Sequence, residues 1–125
     1  MDLTPSVPEE RQLIQAYRPG GFRISDQDHQ GSVLVFPGRT LAWSVTDLDE
    51  LTLDALGPVL EAAPRVELLV LGCGDRFALV SATLRRELRE RGVVVEAMDT
   101  AAACRTYNVL MAEERRVAAA LIAVS

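Results

Sequence analysis

The sequence predicts an α/β fold: one three-layer domain with helices packed on a mixed, mostly parallel central sheet, and an N-terminal β-hairpin. Three segments lead to this prediction. VELLVL (Val66–Leu71) is apolar except for Glu67, as in strands that are covered on both faces. A helical stretch and then VVVEAM (Val93–Met98) follow it, which gives a βαβ unit with parallel strands. The chain closes on RRVAAALIAV (Arg115–Val124), which we interpret as an inner strand because both alternating sets of residues are apolar.

The length and composition are those of one globular domain. The chain has 125 residues, of which 49% are hydrophobic, enough to bury a core. Residues 1–20 contain three prolines and end at the Gly20-Gly21 step, a composition that favours an extended or mobile arm. We therefore predict a mobile N-terminal arm over residues 1–20 and the α/β domain over residues 21–125.

The first part of the domain is predicted to be β-structure. FRIS (Phe22–Ser25) alternates as a short strand does, and DQDHQG (26–31) consists of turn-forming residues and predicts a loop. SVLVF and RTLAWS then flank Pro37-Gly38, which predicts a hairpin with a type II turn, because glycine in its third place accepts a positive φ.

Helical segments are predicted in the middle of the chain. Leucines in Thr46–Ala63 recur near the helical period, although Pro58 should open only a final helical segment, which Pro64 stops. In the βαβ unit, Ser81 is a suitable N-cap and Gly92 a suitable C-terminal left-handed residue.

A third helix should follow VVVEAM. Asp99 or Thr100 can cap it, and Ala103, Tyr107, Leu110 and Met111 fall on one face. This face is predicted to pack on the sheet.

The charge balance argues against nucleic acid as a partner. All 13 basic residues are arginine, and 18 acidic residues give a net charge of −5. The basic stretch LRRELRERG (84–92) has glutamates spaced four residues from arginines, as on a solvated helix face. No apolar run approaches a membrane span, and the N-terminus does not resemble a targeting signal, so we expect a cytoplasmic protein.

The loop GCGDR (72–76) resembles nucleotide-binding loops only in part. LGCGDR matches the start of a methyltransferase cofactor loop, but Arg76 stands where that motif has its last glycine. Phe77 replaces the third glycine of the dinucleotide fingerprint, and Asp75 would repel a phosphate. We interpret the two glycines mainly as the turn that ends a buried strand.

Catalytic, metal-binding and cofactor-binding patterns are lacking in the sequence. Cys73 and Cys104 have no CxxC or Cys/His spacing, so no metal site is predicted, and inert, reduced thiols are expected. Cys104 could approach Cys73 across the strand ends. His29, the single histidine, lies in the predicted loop without a triad partner. We predict no cofactor, and the lack of these patterns favours a protein without enzymatic activity.

Polar residues also recur on the third helix. Thr100, Cys104 and Asn108 are spaced by four residues and should form a polar edge beside Tyr107. One interpretation is that these residues have a structural role, capping the helix and forming hydrogen bonds to a neighbouring loop. The alternative is one wall of a small pocket formed with the GCGD turn.

From about Gly21 to Val124 the chain resembles an uncharacterised, MTH-938-like domain family (domain of unknown function 498) that includes a mitochondrial complex I assembly factor. The resemblance rests on GGFRI, the Pro-Gly hairpin with Trp43, VELLVLGCGD, RERGVVVEAMDT, ACRTYN and RRVAAALI, in this order. It implies a compact three-layer α/β domain without an established activity or cofactor. The matching positions are Gly72, Gly74, Asp75, Thr100, Ala103, Thr106, Tyr107 and Asn108. Threonine is frequent in that family in place of Cys73, which argues against essential thiol chemistry.

Two functional hypotheses follow from the sequence. The first is a non-catalytic interaction or assembly module with an unidentified protein partner. The second is a small-ligand or nucleotide-type binding protein, or an enzyme, that uses loop 72–76 and the helix start at 100–108. The candidate ligand or partner site comprises Gly72, Cys73, Gly74, Asp75, Thr100, Cys104, Thr106, Tyr107 and Asn108.

Overall fold

The computed structural model describes residues 11–125, which form two β-sheets and three α-helices. The smaller sheet is antiparallel and has the order β1-β2-β3. Its strands are β1 (Ile14–Arg18), β2 (Gly21–Ile24) and β3 (Gln27–Gln30). The larger sheet has the order β5-β4-β8-β6-β7, and its strands are β4 (Ser32–Phe36), β5 (Arg39–Trp43), β6 (Leu68–Gly72), β7 (Val94–Met98) and β8 (Val117–Leu121).

The larger sheet is evenly mixed, which corrects the prediction of a mostly parallel sheet. Strand β6 is parallel to both β7 and β8, whereas β4 is antiparallel to both β5 and β8. The hairpin therefore supplies two of the five strands of the larger sheet, because β4 pairs directly with the last strand, β8. Its two-residue link is Pro37-Gly38, but Gly38 does not have a positive φ, so the type II turn was a wrong prediction.

The three helices are divided between the two faces of the larger sheet. They are α1 (Gly57–Leu60), α2 (Ala82–Glu90) and α3 (Thr100–Ala112). Successive strand residues point to opposite faces, so Leu69 and Leu71 join a hydrophobic cluster with α2 and the segment before β6. Val70 joins a second cluster with α3 and the smaller sheet. Alanines 118–120 in β8 are fully buried, and their small side chains allow close packing.

The βαβ unit has the predicted local structure. Ser81 caps α2 by accepting a hydrogen bond from the Leu84 amide, and the φ of Gly92 is +84° where the helix ends. Asp99 caps α3 in the same way, by accepting from the Ala102 amide. These predictions are confirmed. They could be made from the sequence because each depends on contacts between residues close in sequence.

The N-terminal region differs from the prediction. Residues 1–10 of the predicted arm lie outside the described residues, but β1 occupies Ile14–Arg18 and pairs with β2. The predicted loop at 26–31 contains strand β3, whose exposed polar residues pair with β2. This edge strand forms because its backbone pairs with β2. It has no alternation of apolar and polar side chains.

The segment Thr46–Ala63 is mostly irregular instead of helical. It contains two 3-10 turns, at Leu48–Glu50 and Asp54–Leu56, and the single helical turn α1, which begins beside Pro58 as predicted. Its leucines nevertheless pack against the first cluster. The spacing of the leucines thus reflects their burial against the sheet and does not indicate a continuous helix.

Candidate functional site

Gly72 lies at the carboxyl end of β6, where α3 approaches the sheet. A Cβ atom at this position would lie 2.8 Å from Thr100 Oγ1 and 3.0 Å from Thr100 Cα. It would also lie 3.0 Å from Leu121 Cδ2. Glycine is therefore required here for the close approach of the helix, and the φ of Gly72 is not positive.

Thr100 connects the loop after β6 to the end of β8. Its side chain is fully buried. The hydroxyl accepts a hydrogen bond from the Gly74 amide (2.9 Å) and donates one to the Ile122 carbonyl (2.7 Å). The Thr100 amide also donates to the Gly74 carbonyl (2.9 Å). We call this set of residues, Gly72, Gly74, Thr100 and Ile122, the Thr100 junction.

Cys73 and Asp75 flank the junction and have partners within the chain. The Cys73 amide donates to the Met98 carbonyl (2.8 Å), and its thiol lies 3.6 Å from the Ala78 carbonyl oxygen. The Asp75 carboxylate accepts hydrogen bonds from the amide and hydroxyl of Ser125. The Ser125 hydroxyl, and then its amide, hold the pKa of Asp75 below the ordinary value of 3.8.

A shallow cavity of about 300 Å³ lies beside this loop. Cys73, Gly74 and Asp75 line it together with Asp47 and Asp49, while none of its described lining residues comes from α3. Two of the loop amides already donate within the chain, and three carboxylates would repel a phosphate. The cavity is therefore poorly suited to an anionic cofactor, and the structure does not bring loop 72–76 and Asn108 to one pocket.

The polar residues farther along α3 hold the N-terminal segment. Asn108 accepts a hydrogen bond from the Ile14 amide (2.9 Å) and donates one to the Ile14 carbonyl (2.8 Å), as a neighbouring strand would. The buried Tyr107 hydroxyl donates to the Gln12 carbonyl (3.2 Å), and burial raises the pKa of this tyrosine. Thr106, which is partly exposed, lies on the same helix.

The two thiols lie on opposite faces of the larger sheet. Cys73 packs against the first hydrophobic cluster and Cys104 belongs to the second. Both are free cysteines. Burial raises the pKa of Cys104 to about 12, so its thiol stays protonated at neutral pH and is a weak nucleophile.

A second concave region lies at the other end of the sheet, and the sequence reasoning did not identify it. This cavity of about 640 Å³, which we call the arginine groove, is formed by the β4–β5 hairpin tip, loop 62–66 and loop 114–116. Phe36, Pro37 and Val66 supply apolar lining. Its five arginines are Arg11, Arg39, Arg65, Arg115 and Arg116.

No continuous basic stretch of the sequence marks the arginine groove. Its arginines come from four places in the chain, and only Arg115 and Arg116 are adjacent. They meet because β8 is parallel to β6 and antiparallel to β4. One end of the larger sheet therefore contains the beginnings of β6 and β8 and the end of β4.

Within residues 11–125, no three His, Cys, Asp or Glu side chains are grouped so that they could hold a metal ion. His29, assigned to a loop by the sequence, lies instead in strand β3 and is partly exposed. No helix in the described part of the chain has the length and apolar character needed to cross a membrane.

Comparison with known proteins confirms the family resemblance. The model of a family described as "Protein of unknown function (DUF498/DUF598)" matches residues 14–122. A Xenopus tropicalis protein named NADH dehydrogenase [ubiquinone] 1 alpha subcomplex assembly factor 3 is 38% identical over 113 residues, which cover 90% of this chain and 62% of that protein. An uncharacterized protein of Rhodobacter capsulatus is 41% identical over 109 residues, covering 87% of this chain and 82% of that protein. The chain thus spans about three fifths of the length of its assembly-factor relative.

Solved structures show the same fold. One from Bartonella henselae, described as an outer membrane protein, has a TM-score of 0.85 and 38% identity, covering 94% of this chain and 98% of that one. The solution structure of a Bordetella pertussis protein, described as an Mth938-like domain, has a TM-score of 0.81 and 30% identity. That match covers 98% of this chain and 92% of the other.

Proposed function

The chain belongs to the DUF498/DUF598 family, and from this membership we propose that it is a non-catalytic protein-interaction module that acts in the assembly of an NADH dehydrogenase complex. The observation that carries this proposal is the 38% identity to an assembly factor of such a complex over nine tenths of the chain. A partner of the chain would then be a subunit of that complex or another assembly protein.

The polar groups of loop 72–76 and of α3 support a non-catalytic role. The Thr100 hydroxyl and the Asn108 amide group each make two hydrogen bonds within the chain. Asp75 is likewise bonded to Ser125. A general base or nucleophile needs an atom that is free to reach a substrate, whereas these groups are used to join structural elements.

The second hypothesis, binding of a small ligand by loop 72–76 and the start of α3, has less support. It needs backbone amides that can donate to the ligand, but those of Cys73 and Gly74 donate to Met98 and Thr100. The neighbouring carboxylates of Asp47 and Asp49 also disfavour an anion. We therefore prefer the interaction module.

An exposed apolar loop offers a contact surface for a protein partner. We call residues 77–79 the apolar loop. The side chain of Phe77 is 56% exposed and that of Leu79 is 82% exposed. Exposed aromatic and aliphatic side chains gain burial when a partner covers them, as at the centres of protein interfaces.

We also propose that the protein works in the cytoplasm. Its two free cysteines lie on opposite faces of the sheet and do not form a disulfide, as is usual for thiols in a reducing compartment. Cell fractionation with an antibody against the chain should find it with soluble cytoplasmic enzymes. Recovery with membrane or periplasmic markers would contradict this part of the proposal.

Deletion of the gene in its host tests the assembly role. We expect less fully assembled NADH dehydrogenase on a blue native gel, with recovery when the wild-type gene is returned. A double variant, Phe77→Ser with Leu79→Ser, should restore less of the complex, whereas the control pair Val94→Ser and Val109→Ser should restore it fully. The control residues are apolar and 52% and 54% exposed, so the pairs are matched in chemistry.

Two results would overturn the proposal or its surface. An unchanged amount of assembled complex in the deletion strain would remove the assembly role. Full restoration by the Phe77/Leu79 double variant would remove the apolar loop as the contact surface. Circular dichroism of each purified variant would show that the compared proteins are folded.

A further inference from the structure

We propose that the arginine groove binds an acidic segment of a protein partner, with carboxylates on the arginines and an apolar side chain on the groove floor. The identity of the occupant as a protein rests on the proposed function, whereas the binding chemistry rests on the groove itself. The groove lies at the opposite end of the sheet from the Thr100 junction, so it is a separate surface.

The charge of the groove is opposite to that of the whole chain. Five arginines and one glutamate, Glu114, line it, which is a formal charge of +4, while the chain carries −5. Clustered charges of one sign attract a partner of the other sign and orient it. An acidic segment is therefore drawn to this end of a molecule whose net charge is negative.

The positions of the guanidinium groups favour several spaced carboxylates over one compact phosphate. The Arg39 guanidinium lies over the Phe36 ring, 5.2 Å from its centre. Arg116 Nη1 lies 3.8 Å from Glu67 Oε1. The Arg65 guanidinium covers Gly92, where a Cβ would lie 2.5 Å from Nη2. Each of these three guanidinium groups is thus placed against a different neighbour, which suits a partner with several spaced carboxylates.

The arginines are available to a partner. Both members of the Arg116–Glu67 pair are 57% exposed, and exposed pairs contribute only about 0–1 kcal/mol, so a partner carboxylate can replace Glu67 at little cost. Arg39 is held by the ring below it but keeps its donors, because stacking uses the face of the guanidinium. Arginine is also the residue best suited to paired hydrogen bonds with carboxylates.

The floor of the groove gives the second half of the recognition chemistry. Phe36, Pro37 and Val66 provide apolar lining between the arginines. A cavity of about 640 Å³ is large enough for several side chains, since pockets of about 300–1,000 Å³ hold drug-sized ligands. The expected sequence in the partner therefore combines acidic residues with a leucine or similar side chain.

Titration of the ¹⁵N-labelled full chain by NMR tests this inference. The probe is a hexapeptide of alternating glutamate and leucine, with blocked ends, and its glutamine counterpart is the uncharged control. We expect shifts of the backbone amides of the non-proline residues in 36–39, 62–66 and 114–117 with the acidic peptide only. Inorganic phosphate and a ten-nucleotide oligothymidylate are titrated in parallel.

A double variant and a matched control identify the arginines that bind. Arg39→Ala with Arg115→Ala should weaken peptide binding roughly tenfold or more, because it removes two charge-assisted contacts. Arg86→Ala with Arg89→Ala removes the same charge from the exposed side of α2 and should change the affinity less than twofold. The spectrum of each variant also shows whether it is folded.

Several results would overturn the inference. They are equal binding of the glutamine peptide, equal weakening by the two double variants, shifts outside the groove, or tighter binding of phosphate or oligothymidylate. Failure here leaves the assembly role intact if the deletion strain still lacks the complex. A normal complex in that strain, with the peptide bound in the groove, would instead remove only the assembly role.

Discussion

Replacement of Thr100 by valine should destabilise the protein although it hardly changes the volume of the side chain. The hydroxyl that is lost accepts a hydrogen bond from the Gly74 amide and donates one to the Ile122 carbonyl, and both bonds are buried. The Thr100 side chain is fully buried. Water therefore cannot replace the hydroxyl without a rearrangement of the Thr100 junction.

The magnitude follows from the two groups that lose their partner. A buried donor or acceptor without a partner costs about 1–3 kcal/mol, so Thr100→Val should lower the free energy of unfolding by about 3 kcal/mol. The unfolding entropy is about 2.1 cal/mol/K per residue, which for 125 residues converts this loss to a fall in Tm of about 10 °C.

Urea denaturation followed by circular dichroism measures the change, and Thr100→Ser is the matched control. Serine keeps the hydroxyl and loses one methyl group, which should cost about 1 kcal/mol. Hydrogen exchange of the Gly74 amide should also be faster in the valine variant. If the valine variant proved as stable as the serine variant, the hydroxyl would not hold the junction together.

Three further outcomes are expected. Gly72→Ala should cost about 1–3 kcal/mol in urea denaturation because its Cβ would meet the Thr100 backbone at 3.0 Å, whereas Gly38→Ala has open space and should change stability by less than about 0.5 kcal/mol; equal effects would contradict the close approach of α3. Asn108→Ala should cost about 1–2 kcal/mol and speed hydrogen exchange in β1, and unchanged exchange there would show that the amide group does not hold this strand. Since burial raises the pKa of Cys104 to about 12, iodoacetamide at pH 8 should leave this thiol unmodified in the folded chain, as read by peptide mass spectrometry; rapid modification without unfolding would refute its burial.

The βαβ unit was predictable because its signals are local. The apolar run of β6, the Ser81 cap and the Gly92 terminus each act on neighbours in the sequence. A parallel pair joined by a helix then follows from the chain connection alone. The pairing of β6 with β7 agrees with this reasoning.

The other elements depend on distant residues, which explains where prediction failed. Strand β3 has polar, exposed residues and exists because its backbone pairs with β2. The leucines of Thr46–Ala63 are spaced like those of a helix, yet prolines restrict the segment and burial against the sheet satisfies the leucines instead. The mixed sheet results from pairing β8 with β4, two segments more than 80 residues apart.

The sequence predicted that the candidate-site residues share one helix. It did not predict which parts of the protein each of them contacts. The helical spacing correctly placed Thr100, Cys104 and Asn108 on one helix, but their surroundings differ. Thr100 bonds to the loop after β6, Cys104 enters the core, and Asn108 bonds to β1. No sequence spacing specifies these partners, because Asn108 and Ile14 are 94 residues apart.

The two ends of the larger sheet lead to a test that separates structure from function. At the carboxyl end of β6, buried hydrogen bonds join the elements, so variants of the Thr100 junction should lose assembly activity only as far as they lose stability. At the other end, the side chains of the arginine groove are largely exposed, and substitutions of exposed residues usually change stability by less than about 0.5 kcal/mol. A groove variant such as Arg39→Ala with Arg115→Ala should therefore lower the amount of assembled complex in the host at unchanged Tm. If loss of the complex followed Tm in both sets of variants alike, the groove would have no role beyond the fold.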